Sequence, residues 1–428
     1  MIAIEQLYTL YLQHPVVTTD TRNCPAGSIF FALKGERFNG NLFARQAIEA
    51  GCAYAVIDED INDEDARFIR VEDVLTCLQE LAAFHRRQLR IPVIGITGTN
   101  GKTTTKELTR CVLSSRFNTL ATEGNLNNHI GVPLTLLKIT AEHEMAIIEM
   151  GANHPGEIEF LCRIARPDYG LITNIGKAHL EGFGSLEGVI KTKSELYDSL
   201  RTNNGKVFLH AENEYLPAQA HGLDTILYGT TPGLFVTGKM TACSPFVSFE
   251  LVTDQSSETI DTQLIGSYNL PNLLAAAAVG RYFGIPATDI KTALQAYQPA
   301  NKRSQLMHTH QNTLILDAYN ANPSSMMAAL VNFQDMEVKN KTLILGDMRE
   351  LGAESQKEHQ RIIAFLTQMN LDLILLVGKE FNTLTHPFLG FSNTAELKAW
   401  LAEHPLRDRF ILIKGSRGIA LETCIDLL

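Results

Sequence analysis

The chain has 428 residues, of which 45% are hydrophobic and 20% charged, and its formal net charge is −10. At roughly 100–200 residues per domain the length calls for about two to four domains. The acidic balance argues against non-specific nucleic-acid binding and favours a small-molecule substrate, although local basic residues can still collect phosphates. Seven cysteines with no C-x-x-C spacing argue against a disulfide framework or a structural zinc and for a reducing cytoplasm. The opening residues, MIAIEQLYTLYLQHP, lack a basic segment and a small-residue cleavage site, so no signal peptide is expected. No run approaches the ~18 apolar residues of a membrane span.

A first unit is expected over residues 1–88. It holds a strand-like stretch, Ser28 to Leu33, a helical run from Leu42 to Gly51, and the strand Tyr54 to Ile57. The acidic stretch Asp58 to Asp65 reads as a solvated loop. Apolar spacing at Leu75, Leu78, Leu81, Ala82 and Phe84 predicts a helix leading out.

A second unit is expected over residues 89–299. A buried strand, Ile91 to Ile96, runs into a glycine loop and then a helix from Thr103 to about Leu113. Met145 to Ile148 ends at Glu149, and Gly170 to Ile172 ends at Thr173 and Asn174; apolar runs alternating with helices predict a parallel α/β sheet. Residues 233–265 alternate and are β-branched, which predicts an antiparallel patch. A helix from Asn272 to Phe283 stops at Gly284 and Pro286.

The third unit, residues 300–428, repeats four apolar runs: Leu314–Leu316, Leu343–Leu345, Leu373–Val377 and Phe410–Ile413. That pattern predicts a doubly wound α/β domain, with ligands beyond the carboxyl ends of the strands. In three of the runs those ends are polar: Asp317, Gly346-Asp347, and Lys414 to Arg417.

The strongest signal is Ile96-Thr-Gly-Thr-Asn-Gly-Lys-Thr-Thr104, set between a strand and a helix. Gly98 and Gly101 let the backbone of Thr99, Asn100 and their neighbours curl its N–H groups towards phosphate oxygens, at a helix N-terminus that favours anions. Lys102 can reach the terminal phosphates of ATP, Thr103 can hold magnesium, and Thr104 extends the cradle. The strict pattern G-x-x-x-x-G-K-[ST] fails, because Ile96 stands where it needs glycine.

T-G-T-N-G-K-T-T resembles the phosphate loop of the Mur ligase superfamily. The resemblance extends to Asp20-Thr-Arg22 and Gly27-Ser-Ile-Phe-Phe-Ala-Leu-Lys-Gly35 in the first unit. In the second it covers Glu123-Gly-Asn-Leu-Asn-Asn-His-Ile-Gly-Val-Pro133, Glu149-Met-Gly-Ala-Asn153, Ala178-His-Leu-Glu-Gly-Phe-Gly184 and Tyr268-Asn-Leu-Pro-Asn272. In the third it covers Asp317-Ala-Tyr-Asn-Ala-Asn-Pro323, Leu345-Gly-Asp-Met-Arg-Glu-Leu-Gly352 and Lys414-Gly-Ser-Arg417. It implies an α/β fold of three domains, with a central P-loop parallel-sheet ATPase domain between a small α/β N-terminal domain and a Rossmann-like C-terminal domain.

The resemblance also implies a monomeric ATP-dependent acid–amine ligase that joins D-alanyl-D-alanine to UDP-N-acetylmuramoyl-tripeptide through an acyl phosphate, in peptidoglycan precursor synthesis. The Tyr-Asn-Ala-Asn-Pro string separates this reading from a sister ligase adding a single amino acid. A P-loop NTPase switch, whose hydrolysis would ignore peptide substrates, is the alternative from another class.

Residue roles follow from the same resemblance. Glu149 suits magnesium, which prefers hard oxygen ligands; by itself it is a carboxylate at a strand end. His179 becomes a magnesium or acyl-phosphate contact. Lys193, on its own a solvated lysine of a helix running from Leu186 to Leu200, becomes a carbamylated lysine helping to hold a second magnesium. Asn269 and Asn272, which also suit helix capping, become adenine contacts. Arg303 reaches the nucleotide phosphates and Asp317 the ribose hydroxyls. Thr21, Arg22 and Lys34 are candidates for the uridine diphosphate moiety. Asn127 and Asn128, with Asn320 and Asn322 of the third unit, are candidate substrate contacts.

Overall fold

The computed structural model describes residues 2–61, 65–254, 256–300 and 302–428, so part of the acidic stretch, residues 62–64, lies outside the described residues. Among these the main strands form three sheets of four, nine and six strands. The N-terminal sheet pairs Val17–Thr18, Ile29–Phe31, Tyr54–Ile57 and Phe68–Arg70 in parallel. The helix expected from Leu42 begins as a 3-10 turn at Gly40–Phe43 and becomes α-helical over Ala44–Glu49. The outgoing helix is Val74–Gln88, with Asp73 capping it by accepting the Thr76 N–H at 2.7 Å.

In the central sheet, Val93–Thr97 lies between Tyr169–Ile172 and Met145–Glu149, all parallel and, apart from half-buried Tyr169, buried along their length. Burial on both faces explains why these strands are near-continuous apolar runs. Val236–Cys243, Phe246–Val252 and Ser257–Ile265 form the antiparallel patch at one edge. The helix expected from Asn272 begins two residues earlier, at Leu270, with Pro271 in its first turn, and runs to Tyr282. It is buried almost all round, between the helix Lys102–Leu113 and the sheet.

The C-terminal sheet is ordered Gln305–His308, Thr313–Asp317, Phe410–Lys414, Lys341–Gly346, Leu373–Val377, Leu389–Phe391. The four inner strands are the four expected runs. The outer two are half-exposed and leave no continuous apolar signature. Gln305–His308 is antiparallel to its neighbour and the others are parallel. Among the described residues no helix is long and apolar enough to cross a membrane.

Candidate active site

Two glycines shape the turn after Val93–Thr97. Gly98 has φ +140°, and a Cβ there would sit 2.1 Å from Thr173 Oγ1. Gly101 has φ +79°, and a Cβ there would sit 2.7 Å from Asn272 Oδ1. Both conformations and both approaches require glycine. The end of the next strand holds the loop. Thr173 Oγ1 donates to the Asn100 carbonyl at 2.6 Å, Asn174 Nδ2 donates to the same oxygen at 3.0 Å, and the Asn100 N–H donates to Asn174 Oδ1 at 3.0 Å. The helix after the loop starts at Lys102, one residue earlier than expected.

The loop opens on a cavity of about 1120 Å³. Thr99, Asn100, Gly101, Lys102, Thr103, Thr104, Asn127, Asn128, Glu149, His179, Asn269, Asn272, Arg303, Asp317, Asn320 and Asn322 all line it. The sequence-expected residues from the second and third units therefore converge on one space. Thr21, Arg22 and Lys34 do not line it. Arg22 is paired with Asp20 at 2.7 Å and Lys34 with Asp58 at 3.1 Å, both on the N-terminal domain.

Lys102 Nζ donates to the carbonyls of Gly98 at 2.8 Å and Thr99 at 3.0 Å. Burial pushes its pKa down to about 8; nearby Arg303 acts in the same direction and Glu149 opposes it. Glu149 is 1% exposed, which removes the surface-carboxylate reading. The strand register sets Glu149 beside Ile96, at the root of the loop. Its Oε1 accepts from Thr103 Oγ1 at 3.2 Å and from Asn127 Nδ2 at 2.8 Å. Its Oε2 is buried without a partner.

An unpaired buried carboxylate oxygen is costly. Beside a threonine hydroxyl it is a hard-oxygen pair suited to magnesium. Among the described residues no three His, Cys, Asp or Glu side chains gather as a metal cluster, so the fit rests on this pair and the phosphates a nucleotide would bring.

His179 has φ +50° and directs Nδ1 to Glu350 Oε2 at 2.5 Å. This pairing holds the Glu350 carboxyl below its usual range. A carboxylate on one imidazole nitrogen fixes the ring, as it does for metal-ligating histidines.

Lys193 is not a solvated lysine. It is 2% exposed, its Nζ donates to the Ala152 carbonyl at 3.3 Å, and it lies 5.2 Å from the centre of the Phe183 ring. Burial first, and Lys102 second, push its pKa well down. It lies outside the cavity lining.

Asn269 and Asn272 do not cap the helix with their side chains. Asn269 Nδ2 donates to the Ile265 carbonyl at 2.8 Å, Asn272 Nδ2 donates to Asn269 Oδ1 at 2.8 Å, and Thr105 Oγ1 donates to Asn272 Oδ1 at 3.1 Å. The pair is a rigid polar ledge above the loop. Asn128 Oδ1 accepts the Gly131 N–H at 2.9 Å, at the first residue of the short helix Gly131–Leu136. Asn320 Oδ1 accepts the Ala321 N–H at 2.9 Å. Asn322 caps the helix Pro323–Asp335 and donates across the domain boundary to Asn100 Oδ1 at 2.8 Å.

Three cavity residues received no individual role from the sequence. Lys414 is the register partner of Asp317 on the adjacent strand and donates to Asp317 Oδ2 at 2.5 Å. Glu350 pairs with His179. Both stand in the polar strings that follow apolar strands, which was the available signal. Tyr319 carries Arg303 on its ring face at 3.9 Å, a contact that spacing alone does not reveal. Arg303 Nε is buried without a partner, so this cation stands beside the loop with hydrogen-bonding capacity unused.

Comparison with known proteins agrees with this geometry. Family profiles described as "Mur ligase family, catalytic domain", "Mur ligase middle domain" and "Mur ligase, glutamate ligase domain" match residues 15–86, 96–280 and 302–417. The chain is 38% identical to the UDP-N-acetylmuramoyl-tripeptide–D-alanyl-D-alanine ligase of Escherichia coli, covering 96% of this chain and 93% of that protein. It superposes on a crystal structure of MurF from Acinetobacter baumannii with a TM-score of 0.87 and 34% identity, over 96% and 92% of the two chains. The MurF ligase of Thermotoga maritima, solved in complex with ADP, gives a TM-score of 0.85 and 25% identity over 96% of each chain. Relatives of this identity run through all three sheets, and the chain belongs to the Mur ligase family.

Proposed function

We propose that this chain is an ATP-dependent ligase that joins D-alanyl-D-alanine to UDP-N-acetylmuramoyl-tripeptide, releasing ADP and phosphate, in the cytoplasmic synthesis of peptidoglycan precursor. The observation that carries this reading is the meeting of Lys102, Thr103 and Glu149 with Arg303 and Asp317 in one cavity. Two domains thereby supply a phosphate cradle and a site for a second reactant.

The carboxylate of the tripeptide takes the terminal phosphoryl group, and the bond to ADP breaks. The neutral amine of the dipeptide then attacks the acyl carbon; phosphate leaves and the amine gives up its proton. Lys102 and Arg303 offset charge on the phosphoryl oxygens. Thr103, Glu149 and His179 are the residues that would hold magnesium, which when bound supplies further charge neutralisation. Asp317, fixed by Lys414, offers its carboxylate to the ribose hydroxyls, and Asn269 and Asn272 form the adenine ledge. Closure over the cavity excludes water, which would hydrolyse an acyl phosphate.

Residues 1–88 hold the uridine diphosphate end through Thr21, Arg22 and Lys34, residues 89–299 hold ATP, and residues 300–428 present the dipeptide. Asn127, Asn128, Asn320 and Asn322 border the peptide end. A second cavity of about 780 Å³ beyond the C-terminal strands is lined by Asp347, Arg349, Glu350 and Lys379. It offers both signs of charge to a zwitterionic dipeptide and shares Glu350 with the first cavity.

Lys193 is carbamylated in the active enzyme. Carbon dioxide adds to a neutral amine, forming a nitrogen–carbon bond as one N–H proton is released to solvent, and burial drives this amine towards neutrality. The resulting carboxylate would suit a second magnesium. The reading as a whole is tested by the pentapeptide product. Mass measurement of the UDP-sugar after incubation with ATP, magnesium and the dipeptide should show addition of one dipeptide per phosphate released. Phosphate release without that product would overturn it.

A further inference from the structure

Lys177 and Glu358 meet across the boundary between the central and C-terminal domains, with Lys177 Nζ donating to Glu358 Oε1 at 2.6 Å. Lys177 stands in the loop between Tyr169–Ile172 and the short helix Leu180–Phe183, and Glu358 on the helix Ser355–Leu366. The Glu358 side chain is 2% exposed. Its Oε2 has no hydrogen-bond partner; Arg361, one turn along the same helix, forms an ion pair with it at 3.8 Å, outside hydrogen-bond range. Neither Lys177 nor Glu358 lines the catalytic cavity.

The surroundings tie this pair to the phosphate loop. The Gly176 N–H donates to Thr99 Oγ1 at 3.0 Å, and Thr99 Oγ1 lies 3.3 Å from the Gly176 carbonyl. The Lys177 N–H donates to Ser324 Oγ at 3.1 Å, at the start of the helix Pro323–Asp335. A chain of contacts therefore runs from Thr99 through Gly176 and Lys177 to Ser324 and Glu358. Its ends are the loop that cradles phosphate and the domain that presents the second reactant.

We propose that Lys177 and Glu358 are positioning residues that clasp the C-terminal domain onto the phosphate loop and so set the affinity for the incoming amine without touching it. This rests on the ligase reading above. A buried carboxylate whose short-range cation lies on the other domain favours the closed arrangement. Weakening the clasp lowers the fraction of closed molecules, and apparent affinity falls by that fraction. Saturating substrate still pulls the domains together, so turnover at saturation is preserved.

The test uses the full chain and the variants Lys177→Met, Glu358→Gln and the double variant. Phosphate release is followed against D-alanyl-D-alanine at saturating ATP, magnesium and UDP-N-acetylmuramoyl-tripeptide. Each single variant should raise KM for the dipeptide about tenfold while kcat stays within about twofold. The double variant should be no worse than either single one, because both remove the same interaction. Small-angle scattering with a non-hydrolysable ATP analogue should give a larger radius of gyration for the variants than for the parent, with a parent-like circular dichroism spectrum. An unchanged KM, a loss confined to kcat, additive effects, or identical radii would overturn the clasp. If the parent chain fails to use these substrates, the ligase reading falls, and the scattering comparison still decides whether the pair holds the domains together.

Discussion

Thr103 donates its hydroxyl to one oxygen of Glu149 at 3.2 Å, and the other oxygen of that buried carboxylate has no partner. The two residues come from the helix after the phosphate loop and from the strand beside it, so the pairing depends on the parallel register of Ile96 with Glu149. Replacing Glu149 by glutamine keeps the shape and removes the charge. Glu149→Gln should raise the magnesium concentration for half-maximal activity at least about tenfold. Its melting temperature without ligand should hold or rise, because an under-paired buried charge is gone. A magnesium titration identical to the parent's would contradict the assignment.

Lys102→Ala should abolish ligation, by at least about a hundredfold, with the fold intact. Among the described residues the ammonium hydrogen-bonds the carbonyls of Gly98 and Thr99, and the backbone of the loop does not depend on it. Parent-like turnover in a protein with a parent-like circular dichroism spectrum would remove the phosphate-loop role.

The depressed pKa of Lys102 gives a pH dependence with a definite sign. Its value of about 8 lies below the 10.5 of the unfolded chain, so between them the folded state holds fewer protons. The stability contributed by this group therefore rises with pH across that window, and below about pH 8 its full penalty remains. Phosphate binding needs the ammonium, so nucleotide affinity runs the opposite way. Calorimetric binding of ADP without magnesium should weaken from about pH 8 upwards, by as much as about tenfold per pH unit. Lys102→Ala should bind weakly with a flat profile, and a flat profile in the parent chain would contradict the shift.

Much of this site was legible in the sequence because parallel strands buried on both faces are apolar runs whose ends carry polar residues. The stretch from Met145 to Glu149 and the Phe410–Lys414 run announced both the sheets and their active edges. The edge strand Gln305–His308 did not, because its residues are half-exposed and mixed in character. Lys193 illustrates the other limit. Helical spacing places it on a face, but only the packing of Phe183 and the Ala152 carbonyl shows that the face is buried. Contacts made between domains, such as Asn100 with Asn322 and His179 with Glu350, join segments more than a hundred residues apart, and no local pattern encodes them.

Lys193→Ala should lose most activity, and a small carboxylic acid in solution should restore part of it by occupying the vacated space. Lys193→Arg should resist rescue, since its guanidinium fills the space and keeps the positive charge. Parent-like activity in Lys193→Ala would show that the buried amine is only packing against Phe183. Rescue of the arginine variant would contradict the carbamate.

The central claim, that this cavity couples ATP to joining a peptide carboxylate to a peptide amine, is tested most directly by phosphate release with one reactant omitted at a time. With ATP, magnesium, UDP-N-acetylmuramoyl-tripeptide and D-alanyl-D-alanine all present, release should proceed with one phosphate per product. Omitting either peptide reactant, or replacing the dipeptide by D-alanine, should reduce it to background. Full-rate hydrolysis with no peptide present would contradict the account and favour a nucleotide switch, and equal use of D-alanine would contradict the dipeptide assignment.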